Sequence, residues 1–322
     1  MFRSECWSSY QRWLAPVYDP LGDTLVKANS LGAASTRISG LLILLGIANF
    51  GCAQISDSFS SAPIAIKRAT LKFKLFRGCL IITHGAIGNL ENLNLLIDTG
   101  TDPSILDNRI AEKIHAKLEV VALDTIQAKV RAWQTHLLSL KVGPITSRDT
   151  RVLVEDLSFL ERGIGVRVDA LIGLDVLGKQ NFIVDYGAQS ISFGVSNFSS
   201  SGLTFMQSPP LVGIAMRFDG YPVELMLDTG ASSLMLFHSH WRMAPKVSHV
   251  QHSTNLAGDL VRRMVEFKTA TIGTLDLGRQ NAYFVEDGNN AQSEFDGLVN
   301  PALLGFRQIS FDFAQNRFEW IR

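Results

Sequence analysis

Two aspartates stand in the same short motif at two places in the chain. The sequence LLIDTG places Asp98 at the end of an apolar run, and LMLDTG places Asp228 in the same position 130 residues later. The glycine permits a tight turn and a close backbone approach, and the threonine supplies a hydroxyl for a neighbouring loop. If the two carboxylates lie together, repulsion between them favours the sharing of one proton. The ionised carboxyl can then take a proton from water while the protonated one polarises a carbonyl, which is general acid–base chemistry suited to amide hydrolysis.

The two motifs belong to a longer internal repeat. VLVED at 152–156 matches YFVED at 283–287, and DALI at 169–172 matches DGLV at 296–299, with offsets of 131 and 127 residues. Two halves follow, at 68–196 and 209–322, joined by the Ser-rich linker 197–208. Packing of related halves about a pseudo-two-fold axis would bring Asp98 and Asp228 together.

Each half consists mainly of short β-rich segments separated by Gly or Asn, which predicts strands. Leu211–Phe218 and a strand from Val223 flank Asp219-Gly220, a strong hairpin signal. One short helix per half is expected, at Asn108–Leu118 behind the capping residue Asp107 and around His238–Met243. The predicted fold is therefore all-β with one short helix in each half.

On these motifs the chain resembles the retropepsin-like aspartic proteases, in a bacterial tandem form with two lobes, over about residues 70–322. The resemblance rests on LLIDTGT, LMLDTGAS, DALIGLDVL (169–177) and FIVDYGAQSISF (182–193). It implies the acid-protease fold, two lobes related by pseudo-two-fold symmetry, and Asp98 and Asp228 as the catalytic pair. It also implies supporting residues around the catalytic loops: Thr99, Gly100, Thr229 and Gly230, with Leu171, Ile172 and Gly173 beneath the first loop.

The sequence departs from the family pattern at two places. The second copy reads Leu298-Val299-Asn300, with Asn where the family has Gly, which puts the support of the Asp228 loop in question. The family also covers its substrate with a hairpin flap that is often glycine-rich. The second half offers Ala257, Gly258 and Asp259 as a flap tip, whereas the first offers only Gln127–Gln134, with Trp133 and no glycine, so unequal covers are expected.

Composition excludes several function classes. The 30 basic and 30 acidic residues give a formal net charge of zero, which argues against a nucleic-acid partner. Three cysteines cannot build a disulfide framework or a zinc ribbon. Four histidines fall between 238 and 252 without a Cys or Glu nearby, so a solvated loop is the better interpretation. We expect no metal and no cofactor.

The N-terminus predicts export. Arg37, the apolar run Ile38–Phe50 and the small residues up to Ala53 form a secretory-signal pattern, so residues 1–53 are an N-terminal extension and signal peptide. A lipid anchor at Cys52 fits its flanking residues poorly. A periplasmic or secreted protein is expected, with membrane contact only through an uncleaved signal or a lipid anchor.

The sequence thus predicts an aspartic endopeptidase that acts on peptides or unfolded proteins as a single-chain pseudo-dimer. Two alternatives stay open. The lobes could pair between chains to form a homodimer, or the chain could be a catalytically degenerate peptide-binding module with the same fold.

Overall fold

The computed structural model describes residues 69–124, 129–194, 202–208, 211–241, 247–255, 258–286 and 294–322. The predicted extension, signal and Cys52 lie outside the described residues, as does Ala257. Among the described residues, no helix has the length and apolar character needed to span a membrane.

The first lobe contains thirteen strands and three helices in the described residues. The strands are β1 (Ala69–Lys72), β2 (Lys74–Phe76), β3 (Leu80–Ile87), β4 (Leu90–Ile97), β5 (Ile105–Asp107), β6 (Glu119–Asp124), β7 (Lys129–Leu137), β8 (Leu140–Val142), β9 (Ile145–Ser147), β10 (Thr150–Glu155), β11 (Ala170–Ile172), β12 (Phe182–Asp185) and β13 (Ser190–Phe193). The helices are α1 (Asn108–Lys113), α2 (Ser158–Ile164) and α3 (Leu174–Leu177).

Along the chain, the second lobe has a succession of strands similar to that of the first lobe, with fewer helices between them. Its strands are β14 (Gly202–Thr204), β15 (Met206–Ser208), β16 (Leu211–Phe218), β17 (Tyr221–Leu227), β18 (Met235–Phe237), β19 (Val247–Asn255), β20 (Gly258–Ile272), β21 (Leu275–Val285), β22 (Gly297–Val299), β23 (Gln308–Asp312) and β24 (Arg317–Ile321). Two 3-10 turns cover His238–His240 and Pro301–Leu304.

The strands form three sheets. A ten-stranded sheet holds β2 to β11 of the first lobe, and an eight-stranded sheet holds β15 to β22 of the second. A six-stranded sheet takes strands from both lobes in the order β1-β13-β12-β23-β24-β14. The lobes are thereby joined through backbone hydrogen bonds as well as through side-chain packing.

The centre of the shared sheet lies where the lobes meet. There β12 pairs antiparallel with β23, and Phe182 stands opposite Phe311. Both rings are fully buried and stack with centroids 4.7 Å apart. Offset aromatic pairs of this kind add packing energy to a large apolar burial, so this contact holds the two lobes in one fixed arrangement.

The mainly β, two-lobed fold is confirmed, and the predicted hairpin is present. Strand β16 matches the prediction residue for residue, and Phe218 pairs with Tyr221 across the turn. Asp219 and Gly220 adopt φ of 48° and 85°, the positive values that a two-residue hairpin of this twist requires.

Helix placement differs from the prediction of one short helix per half. In the described residues all three α-helices belong to the first lobe, and the second lobe has 3-10 turns instead. Helix α1 begins behind Asp107, whose carboxylate accepts from the Arg109 N–H, but it ends at Lys113 rather than Leu118. The segment at His238 closes after a single turn, too short for side chains to define a buried face.

The predicted linker also carries structure. Within 197–208, β14 pairs with β24 and β15 pairs with β16. The polar, Gly- and Ser-rich composition did not predict these strands. Both are only three residues long and are held by backbone hydrogen bonds to a neighbouring strand, which for β14 lies more than 110 residues away in sequence.

Candidate active site

The repeated motifs occupy equivalent positions in the two lobes. In the first, β4 runs parallel to β11 with Ile97 opposite Ile172, and the Asp98 N–H donates to the Ile172 carbonyl at 3.0 Å. In the second, β17 runs parallel to β22, and the Asp228 N–H donates to the Val299 carbonyl at 2.9 Å. Each aspartate therefore leaves its sheet at a point fixed by a neighbouring buried strand.

The two aspartates meet at the interface of the lobes. An ideal Cβ on Gly100 would lie 2.8 Å from both carboxylate oxygens of Asp228, and one on Gly230 would lie 2.7 Å from Oδ1 of Asp98. Only glycine allows the opposing carboxylates to approach this closely. The Gly100 and Gly230 N–H groups also donate to Oδ1 of Asp98 and Asp228, at 2.9 and 2.8 Å. Both aspartates keep part of their surface accessible, as a reacting pair must.

The threonines lock the two loops together. Thr99 Oγ1 donates to the Leu227 carbonyl at 2.7 Å, and Thr229 Oγ1 donates to the Ile97 carbonyl at 2.8 Å. Each hydroxyl also accepts from the other threonine's N–H at 3.1 Å. Both threonines are fully buried. These reciprocal bonds satisfy backbone groups that would otherwise be buried without partners.

The electrostatics of the aspartate pair favour a bound proton. Burial raises the pKa of Asp98 well above its ordinary value, and the negative charge of Asp228 raises it further. Burial also raises the pKa of Asp228, against the opposing effect of hydrogen bonds from Asp98 and the loop N–H groups. Two close carboxyls in a poorly solvated site therefore keep a shared proton to higher pH than two separate carboxyls would.

Comparison with known protein families supports the same assignment in each lobe. The family described as "gag-polyprotein putative aspartyl protease" matches residues 84–179, and the family described as "Aspartyl protease" matches residues 214–306. The chain belongs to the retropepsin-like aspartyl proteases. The two matched domains stand in tandem, and each contains one of the Asp-Thr-Gly motifs. No curated protein matches the chain.

In the first aspartyl protease domain, Gly173 and Leu174 support the catalytic loop from below. A Cβ on Gly173 would clash with the Thr101 carbonyl oxygen, and the Leu174 N–H donates to that oxygen at 3.0 Å. The Gly173 N–H donates to Ser104 Oγ, whose own hydroxyl donates to Asp175 at 2.6 Å. The sequence prediction named Leu171, Ile172 and Gly173 but missed Ser104 and Asp175.

In the second domain, Asn300 supports the loop through its side chain. The fully buried amide donates to the carbonyls of Thr229 and Ala231 at 2.9 and 2.8 Å, and its oxygen accepts from the Ala302 N–H at 3.0 Å. The sequence raised the question of whether Asn300 leaves the Asp228 loop poorly supported. The side chain has both room and partners, so the departure from Gly does not leave the loop unsupported.

The two predicted flap regions both form hairpins of adjacent strands. Strands β6 and β7 pair up to Asp124 and Lys129, and β19 and β20 pair up to Asn255 and Gly258. Trp133 lies within β7, half-exposed and opposite Val120, rather than at a hairpin tip. Gly258 and Asp259 begin β20, and their place at the tip of a flap stays a prediction. The second hairpin has the longer strands, of 9 and 15 residues against 6 and 9 in the first.

The buried thiol nearest the site is not a competing nucleophile. Burial and the charge of Asp228 raise the pKa of Cys79 to about 11. A cysteine reacts as its thiolate, so this side chain stays protonated and unreactive at neutral pH.

The raised pKa of the pair predicts how stability depends on pH. Because the folded protein holds protons more tightly than the unfolded chain, its stability falls as pH rises from the ordinary aspartate pKa through the raised folded value. Asp98→Asn removes one of the repelling charges. We expect this variant to match wild type in urea unfolding near pH 3 and to be the more stable protein at pH 7. If Asp98→Asn gains no stability relative to wild type between pH 3 and pH 7, the shared-proton description is wrong.

Proposed function

We propose that the chain is an endopeptidase in which Asp98 and Asp228 activate water for attack on a peptide carbonyl. The observation that carries the proposal is the close contact of two equivalent carboxyls with raised pKa values, each backed by the other lobe's glycine. Their ordinary chemistry in this state is general acid–base catalysis. The acid, the base and the groups that orient them all come from the two Asp-Thr-Gly loops of one chain.

The mechanism follows from the shared proton. The ionised carboxyl accepts a proton from water as the water oxygen bonds to the carbonyl carbon, and the protonated carboxyl donates to the carbonyl oxygen. A tetrahedral diol forms. The carboxyl that took the water proton then donates it to the amide nitrogen while the other carboxyl takes a proton from a diol hydroxyl, so that the carbon–nitrogen bond breaks and leaves a carboxylic acid and an amine. The pair ends with one proton, as it began, and is ready for another cycle.

The test uses a peptide in which a secondary alcohol replaces the scissile carbonyl. Such a group resembles the tetrahedral intermediate, and mimics of this kind bind far more tightly than substrates. We expect the chain to cleave an unfolded protein, and this peptide to inhibit the cleavage competitively. Tight binding of ordinary peptides without cleavage from acid to neutral pH would instead favour the peptide-binding module.

We propose that the active unit is a single chain. The Thr99–Thr229 bonds, the shared sheet and the Phe182–Phe311 stack all join the lobes of one chain. Sedimentation of the active protein should therefore give the monomer mass. Export to the periplasm or outside the cell is a further proposal that rests on the sequence pattern alone, and sequencing of the mature N-terminus would test it.

A further inference from the structure

The two lobes support their catalytic loops in chemically different ways. In the first lobe the carbonyl that follows the Asp-Thr-Gly turn, that of Thr101, receives a backbone N–H from Leu174. The equivalent carbonyl in the second lobe is that of Ala231, and the residue equivalent to Leu174 is Pro301. Proline has no N–H, so the backbone bond of the first lobe cannot form in the second.

Asn300 supplies the missing donor. Its side-chain amide donates to the Ala231 carbonyl at 2.8 Å and to the Thr229 carbonyl at 2.9 Å, on either side of Gly230. A third, longer contact of 3.4 Å reaches the Cys79 carbonyl of the first lobe. The amide oxygen accepts from the Ala302 N–H and caps the turn that Pro301 begins. Asn300 is fully buried, and so are the three contacts that its amide nitrogen makes.

The Gly173-Leu174 and Asn300-Pro301 pairs therefore both supply a hydrogen-bond donor to the carbonyl that follows the Asp-Thr-Gly turn. In the first lobe the donor is the backbone of the second residue, and in the second lobe it is the side chain of the first residue. Gly173 must lack a side chain because the Thr101 carbonyl oxygen lies 2.3 Å from the position that a Cβ would take, and the next residue donates to that oxygen through its backbone N–H. At Asn300 the side chain fills that space and makes the donation, which allows the next residue to be proline. The first lobe needs both members of its pair, whereas in the second lobe the support comes from Asn300 alone.

We propose that Asn300 is a positioning residue for Asp228, and that it acts by holding the carbonyls of Thr229 and Ala231, the residues on either side of Gly230. The Gly230 N–H donates to Asp228 Oδ1 at 2.8 Å and also stabilises the Asp98 carboxylate. If the flanking carbonyls are released, this N–H and the carboxyls lose their fixed geometry. This proposal rests on the proposed function for its kinetic test only.

The test is a rescue experiment. Asn300→Gly installs the residue that the first lobe uses but leaves the Ala231 carbonyl without a donor, because Pro301 remains. Small displacements of a reacting group lower rates by about 100-fold, and we expect a loss of about that size in kcat, with KM changed less than about twofold. Pro301→Leu alone keeps the Asn300 contacts and should stay within about twofold of wild type.

Asn300→Gly with Pro301→Leu restores the arrangement of the first lobe. We expect this double variant to recover at least about tenfold in kcat over Asn300→Gly, since contacting residues couple strongly. Full activity of Asn300→Gly would overturn the proposal, and so would a double variant no faster than the single one.

The matched control is Asn181→Gly. Asn181 is also a hydrogen-bonded amide, donating to Asp312 at 2.8 Å and accepting from the Phe313 N–H at 2.9 Å, but it serves the shared sheet. This variant should lose stability while the folded fraction keeps its kcat.

A second readout does not depend on activity. Hydrogen exchange at the Gly230 and Ala231 amides should accelerate in Asn300→Gly, recover in the double variant, and stay unchanged in Asn181→Gly. If wild type proves inactive, faster exchange at these amides still supports the positioning role, and unchanged exchange refutes it.

Discussion

We expect Asp98→Asn to abolish peptide hydrolysis, and we expect the same of Asp228→Asn. Asparagine keeps the shape of the side chain but can neither take a proton from water nor share one with its partner. Loss of a general acid–base group lowers the rate by about 100-fold to 10,000-fold. Because the two carboxyls act as one unit, we expect either single variant to be as inactive as the double variant. The measurement is cleavage of an unfolded protein at the pH optimum of wild type, with circular dichroism as the control for folding.

A mixing experiment separates the single-chain arrangement from pairing between chains. If the lobes pair within one chain, every molecule in a mixture of Asp98→Asn and Asp228→Asn carries a broken pair, and no activity appears. If they exchange between chains, the mixture forms intact Asp98–Asp228 pairs and regains activity. Recovery on mixing would therefore contradict the single-chain proposal while leaving the catalytic role of the aspartates in place.

Thr99→Val has a large expected effect on stability although it leaves both carboxyls untouched. Valine has the shape of threonine without its hydroxyl, so the Leu227 carbonyl loses its donor and the Thr229 N–H loses its acceptor. Leaving a buried polar group unsatisfied costs about 1–3 kcal/mol, so two such groups cost about 2–6 kcal/mol. Urea unfolding at constant pH measures the loss.

Two further variants make the Thr99 result specific. Thr99→Ser retains the hydroxyl and should lose much less stability than Thr99→Val. Thr83→Val removes a single bond, from Thr83 Oγ1 to the Lys72 carbonyl at 2.7 Å, in the first lobe. If Thr99→Val costs no more than Thr83→Val, the reciprocal bonds do not hold the loops together as described.

Much of the fold was predictable because the repeat carries local signals in each copy. Apolar runs that end in Asp-Thr-Gly predicted β4 and β17, and Asp219-Gly220 predicted the hairpin between β16 and β17. Asp169 and Asp296 open the matched DALI and DGLV segments of the repeat, and each carboxylate accepts a backbone N–H of its lobe at 2.8 Å. These features depend on residues close in sequence or on the match between copies.

The support of the catalytic loops was predictable only in part. The change from Gly173 to Asn300 was visible, but its meaning was not, because a buried amide is judged by the partners that surround it. The proline beside it was the signal that could have been used: wherever one copy of a repeat loses a backbone N–H, the neighbouring side chain is a candidate replacement. Ser104 and Asp175 had no such signal, since they meet only across 71 residues of folded chain.

The sequence by itself determined that this protein has two related lobes, that each contributes one Asp-Thr-Gly turn, and that the fold is mainly β. These conclusions follow from periodicity and repetition, which can be read from the order of residues alone. Only the tertiary structure decided how closely the carboxyls approach, which hydroxyls lock the loops, and whether Asn300 weakens or supports the Asp228 loop. The physical reason is that each of those answers is a distance between atoms from remote segments, and a hydrogen bond a few tenths of an ångström too long or a Cβ in the wrong place would reverse it.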